Sequence, residues 1–164
     1  MSCSSRFCPA GFEDLRYFGR GPVGSYIDMR NASYLAEFRT TVSAHFEHYI
    51  RPQENTAHAD TKWMLLSDIG GHGLLAAMTE RDFSFNCAHY SAAQLTEAKH
   101  DFELVPLDET VVNIDYRQNG IGSYSCGPKL RREFALSEKA FAFSFRLLPV
   151  IVHDICPYKE AGKK

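Results

Sequence analysis

Between Val111 and Pro128 the sequence changes character at one point, and that change limits what the chain can become. Val111-Val112-Asn113-Ile114-Asp115-Tyr116 alternates apolar and polar residues, with β-branched Val112 and Ile114 on one face, the pattern of a half-buried strand. The residues that follow cannot continue it. Gly120, Gly122, Ser123, Ser125 and the Gly127-Pro128 pair turn the backbone too often for regular structure. A strand that delivers a glycine-rich, hydroxyl-lined loop is a common way to hold a small polar ligand on a rigid support. Such a loop is more often only a connection, and spacing alone leaves both readings open.

The rest of the chain reads as strands separated by turns. Glu13 to Phe18 is a first strand, stopped by Gly19-Arg20-Gly21-Pro22. Residues 25–40 are polar and irregular and are expected to lie over the surface, and Val42 to Ile50 is a weaker strand running into Arg51-Pro52. Thr61 to Ser67 and Leu74 to Thr79 flank Ile69-Gly70-Gly71-His72-Gly73, a glycine-rich hairpin connection. Asp82 to Ala88 sets Phe83 and Phe85 against Ser84 and Asn86. Ser91 is a good N-cap for a helix of about two turns over residues 92–98. Thr110 to Arg117 and Phe141 to Leu147 complete the strands. Twelve Phe and eight Tyr favour strands as well. The expected fold is an all-β antiparallel sandwich with one short helix.

Composition excludes several classes. A net charge of −2 gives no basic field for nucleic acid or an anionic membrane. No apolar run approaches the ~20 residues that span a bilayer. Met1 to Pro9 lacks the apolar centre of a signal peptide. Cys3, Cys8, Cys87, Cys126 and Cys156 are an odd set with irregular spacing, which fits free thiols in a reducing, cytoplasmic setting better than a disulfide or zinc framework. His45 and His48 would face opposite sides of a strand, and His72 sits in a glycine turn, so no protein-built metal site is expected.

Five segments, in order, resemble the C-terminal domain of β-galactosidases of glycoside hydrolase family 2. They are Phe12 to Pro22 with Gly11, Tyr49 to Asn55 (YIRPQEN), Asp60 to Asp68 (DTKWMLLSD), Phe83 to Leu104, and the Val111 to Pro128 stretch. Together they span about Gly11 to Leu147. The resemblance implies a supersandwich of the galactose mutarotase-like kind, of which this chain holds the distal half. Residues 11–148 are then a partial domain, 1–10 a polar leader and 149–164 a solvated tail. The chain would be a fragment, a truncated gene product or an unusual reading frame. Three positions depart from the family pattern: Val23-Gly24, where His-Glu is common; Thr56, where glycine is usual; and Tyr124, where asparagine is more frequent.

The resemblance also implies a function. The parent enzyme hydrolyses terminal β-galactosides such as lactose with retention, using two glutamates on a separate barrel domain. No catalytic residue is therefore expected here. A retaining site needs two carboxyl groups about 5–5.5 Å apart, and among Glu54, Asp60, Asp68, Glu97 and Asp115 no spacing demands a shared site. The loop would wall the sugar pocket through Ser123, Tyr124, Ser125 and Cys126, the last at a position that some members fill with tryptophan. Asn113, Asp115, Gly120 and Gly122 would support the loop. Arg20, Glu54 and Asn55 are read as structural, Arg20 as a clamp on carbonyls or a carboxylate. Trp63, the only tryptophan, is read as packing rather than a sugar platform. No cofactor is expected in this chain; magnesium or sodium would belong to the parent. Expected partners are the barrel domain or other subunits, a galactoside and further copies of the chain. The rival reading is a stand-alone carbohydrate-binding or interaction module.

Overall fold

A computed structural model describes residues 2–8, 11–122 and 127–163, with 2–8 as backbone alone. Two antiparallel sheets form a sandwich. The four-stranded sheet runs β1 (Ser2–Cys8), β8 (Thr110–Asp115), β7 (Phe83–Ala88), β4 (His58–Thr61). The five-stranded sheet runs β3 (Tyr34–Thr41), β2 (Asp14–Gly21), β5 (Trp63–Ser67), β6 (His72–Met78), β9 (Phe145–Ile151). The expected all-β sandwich is what the chain forms.

Side-chain alternation explains the core. Leu15 and Tyr17 of β2, Met64 and Leu66 of β5 and Ala76 of β6 point inward and meet Phe83, Phe85 and Cys87 of β7 and Val112 and Ile114 of β8. A second cluster lies on the outer face of the five-stranded sheet. There Trp63, Leu65, Leu75 and Ala77 are covered by Val152, Ile155 and Ala161. β5 is therefore buried on both faces, which is why its sequence is a continuous apolar run rather than an alternation.

Several expectations are corrected. The 1–10 leader contains β1, which pairs with β8 from Ser2↔Asp115 to Cys8↔Thr110 and satisfies that strand's second edge. Residues 25–40 hold a 3₁₀ turn, Ile27–Ala32, and then β3, whose Tyr34, Ala36 and Phe38 alternate along one face. Val42 opens a four-residue helix, α1 (Val42–His45), instead of a strand, because the Thr41 side chain accepts a hydrogen bond from Ala44 N and caps it. The Ser91-capped helix forms as expected, α2 (Ala92–Glu97): Ser91 Oγ accepts from Gln94 N, and Ser91 N donates in return to Gln94 Oε1. The last strand lies at Phe145–Ile151 rather than 141–147, in register with β6 from Met78↔Phe145 to His72↔Ile151. Beyond it the chain is not a solvated tail. A third short helix, α3 (Pro157–Ala161), folds back on the sheet, burying Pro157 and Ala161.

Candidate functional site

β8 ends at Asp115, which is buried, and the following residues carry the chain to the glycine loop. Two cavities lie beside this point. The first, of about 490 Å³, is walled by Arg30, Asp60, Arg81, Asp82, Ser84, Tyr116 and Arg117. The second, of about 370 Å³, is walled by Glu54, Asn86, Asp115, Asn119, Ile121 and Leu136. Tyr26, Arg117 and Gln118 border both. Burial raises the Tyr26 phenol above its ordinary pKa, so it is present as a neutral hydroxyl.

The walls are held by a connected set of bonds. Asn113 Nδ2 donates to Asn86 Oδ1 at 2.8 Å, and Asn86 Nδ2 donates to the Asn55 carbonyl at 3.3 Å. This line joins β8, β7 and the proline turn. Asn55 is buried and uses its whole amide: Nδ2 donates to the carbonyls of Glu47 and Gln53, while Oδ1 accepts from Glu47 N and Thr56 Oγ1. Asp115 Oδ2 accepts from Gln118 Nε2 at 2.6 Å. Glu54 is exposed at the rim of the second cavity. Arg81 Nη1 donates to the Tyr116 hydroxyl at 2.7 Å while its guanidinium lies 4.3 Å from the ring centroid, and Phe141 stacks on the same ring at 4.5 Å.

Arg20 lies apart from the loop. Its Nε donates to Asp60 Oδ2 at 2.6 Å and its Nη1 to the carbonyls of Arg30 and Ser33, both at 3.4 Å. Asp60 also accepts from Arg30 Nη2 at 2.6 Å. These bonds pin the 3₁₀ turn Ile27–Ala32 to the edge of the sandwich. That turn carries Asp28, whose Oδ1 accepts from Ile121 N at 3.2 Å and Oδ2 from Gly122 N at 2.8 Å. Gly120 packs directly on the same carboxylate and donates its N–H to the Phe134 carbonyl. Gly122 has φ +52°, a conformation natural for glycine.

The expected residues thus divide into three groups. Asp115, Gly120 and Gly122 gather at the loop base with Glu54 at the rim of the second cavity, and Asn113 and Asn55 both bond to Asn86, which lines that cavity. Arg20 is remote and reaches the loop only through the 3₁₀ turn. Ser123, Tyr124, Ser125 and Cys126 lie outside the described residues. Sequence reasoning missed Asp28, Asn86, Arg81 and Tyr26. Asp28 sits 93 positions from Ile121, and nothing local marks it. Trp63 is 1% exposed and packs edge-on against Tyr158 at 5.3 Å, as packing requires.

His45 and His48 do not converge. His45 is buried at the end of α1, and His48 is exposed with Nδ1 2.7 Å from Asp101 Oδ1. Among the described residues no three His, Cys, Asp or Glu side chains gather around a point. No helix among them is long and apolar enough to cross a membrane. The paired donors and acceptors on both cavity walls suit a hydroxyl-rich ligand better than an apolar one.

A family model described as beta galactosidase small chain matches residues 5–147. A beta-galactosidase of Staphylococcus xylosus is 45% identical over 139 residues, covering 85% of this chain and 14% of that protein. One from Actinobacillus pleuropneumoniae is 36% identical over 134 residues, covering 82% and 13%. One from Lactobacillus delbrueckii subsp. bulgaricus is 34% identical over 146 residues, covering 88% and 14%. The chain therefore spans about 14% of the length of such relatives.

Proposed function

The chain belongs to the beta galactosidase small chain family, and from that membership we propose that it works as one part of a β-galactosidase that hydrolyses terminal β-galactosides. Its contribution is a wall of the sugar pocket, built from the loop after β8, and not the reacting carboxylates. The observation that carries this reading is the loop base itself. A buried strand end, two polar cavities and an aspartate that holds the backbone N–H groups of Ile121 and Gly122 make a rigid support up to Gly122. Two of the carboxylates nearby have other work: Asp60 is held by two arginines and Asp115 by Gln118. A retaining glycosidase supplies its nucleophile and acid/base from a closely spaced pair, which this reading assigns to the remainder of the enzyme. The catalytic domain is then the chain's main partner and the galactoside a ligand shared between them.

Cys126 offers the sharpest test. A thiol is small and weakly polar, whereas an indole gives a broad plane for stacking on the apolar face of a sugar. Replacing Cys126→Trp in a full-length β-galactosidase carrying this segment is expected to change KM for a galactoside by about threefold or more. Unchanged binding and turnover, with stability also unchanged, would remove the loop from the pocket while leaving the fold intact.

A further inference from the structure

We propose that Asp28 is a positioning residue for the sugar-pocket loop, an assignment that rests on the reading of that loop as a pocket wall. Three contacts converge on one carboxylate. Oδ1 takes the N–H of Ile121 at 3.2 Å, Oδ2 takes that of Gly122 at 2.8 Å, and the α-carbon of Gly120 lies so close that an added Cβ would stand 2.6 Å from Asp28 Cγ. Two successive backbone donors directed at the two oxygens of one carboxylate fix a turn in place and orientation at once. The absence of a side chain at Gly120 is what allows the carboxylate to approach.

The support beneath Asp28 is equally specific. Its 3₁₀ turn is tied down by Arg20, which binds the carbonyls of Arg30 and Ser33, and by Asp60, which bridges Arg20 and Arg30. Strain is accepted to do so, since Asp60 holds φ +53°. The sequence from clamp to loop is then Arg20 and Asp60, the 3₁₀ turn, Asp28, and Gly120–Gly122, which leads directly into residues 123–126. Asp28 touches no reacting atom in this scheme; it acts on the sugar by fixing where the loop stands.

The test has two arms. In the chain as it exists, amide hydrogen exchange at Ile121 and Gly122 is compared between the native protein, Asp28→Asn and Asp28→Ala. Both variants are expected to accelerate exchange at these amides, Asp28→Ala more, with exchange in β5 and β7 unchanged. In a full-length β-galactosidase carrying the segment, Asp28→Ala is expected to raise KM about tenfold with kcat within about twofold and Tm within a few degrees. Gly120→Ala should raise KM by itself yet add little in the Asp28→Ala background, because its clash partner is gone; two sites acting independently would add. Unchanged protection at both amides overturns the proposal. Lost protection with unchanged KM leaves the clamp standing and overturns the pocket-wall reading instead, so the two failures are distinguishable.

Discussion

His45 and His58 lie stacked in the core with ring centroids 4.8 Å apart, at 7% and 0% exposure. His58 Nδ1 donates to the Arg20 carbonyl at 2.6 Å and His45 Nε2 to that of Thr56 at 3.2 Å, and burial favours the neutral form of both rings against the pull of these bonds. Burial pushes His45 down to about 4, and burial with the neighbouring His45 ring pushes His58 down to about 3. Both folded values lie below the unfolded value near 6.5, so below that pH the unfolded chain binds more protons. Stability is therefore full above about pH 6.5 and falls as the pH drops toward the folded values. The expected loss is about 2 kcal/mol per histidine by pH 5, measurable as a falling urea midpoint; a midpoint flat between pH 6.5 and 5 would contradict it. Thr56 gives a second residue-scale test. Its φ of +53° is unfavourable for a β-branched side chain and natural for glycine. Thr56→Gly should hold or raise stability by up to about 1 kcal/mol, although it deletes a buried side chain, while Asn55→Ala should cost about 2 kcal/mol because it strands buried partners. Denaturant titration of the two variants separates these outcomes. The oddity of Thr56 was legible from the sequence; Asp28 was not, since its partners are set by how two distant loops meet.

Among the elements, β5 and α3 explain each other. Trp63-Met64-Leu65-Leu66 is apolar on both faces, and a strand like that requires cover on both. The inner cover comes from the opposite sheet and the outer from residues 152–161. Tyr158 completes the cover by packing on Trp63 and Phe18 and donating its hydroxyl to Glu37 at 2.7 Å; partial burial and that carboxylate push its pKa up to about 12. Ending the chain after Ile151 should expose Trp63, giving a red-shifted fluorescence maximum and a loss of several kcal/mol, on the scale of uncovering a few large apolar side chains. An unshifted spectrum with unchanged stability would show that α3 covers nothing. The strands with clean alternation or a glycine turn, β2, β5, β6, β7 and β8, were readable in advance. β3 and the true span of β9 were not, because a polar edge strand and a closing strand take their boundaries from their neighbours rather than from their own pattern. The solvated look of residues 149–164 misled for the same reason: Asp154, Lys159, Glu160, Lys163 and Lys164 are interleaved with Ile155, Pro157 and Ala161 and hide them.

As a whole, the described sandwich has open strand edges, and the curated relatives it matches are several times longer. β3 and β9 end one sheet and β1 and β4 the other, and β3 exposes Tyr34 at 61% and Leu35 at 43%. Open edges beside exposed apolar residues favour pairing with another chain. The isolated chain is expected to form dimers or larger species in light scattering, and a monomer across a wide concentration range would count against that. The family and its architecture were legible because five ordered segments span most of the chain. The loop's supports were legible only in part, since Asn113 and Asp115 announce themselves on a strand whereas Asn86 and Asp28 do so only through tertiary contacts. The most direct measurement is a substitution of parts. The segment of the Staphylococcus xylosus β-galactosidase that aligns with this chain over 139 residues is replaced by this chain's own, and turnover of a chromogenic β-galactoside is measured for the hybrid and for the isolated chain. The hybrid should turn over within about tenfold of the unaltered relative's kcat/KM, and the isolated chain should not turn over at all. A folded but inactive hybrid, or turnover by the isolated chain that disappears when one of its own acidic residues is changed, would contradict the division of labour proposed for it.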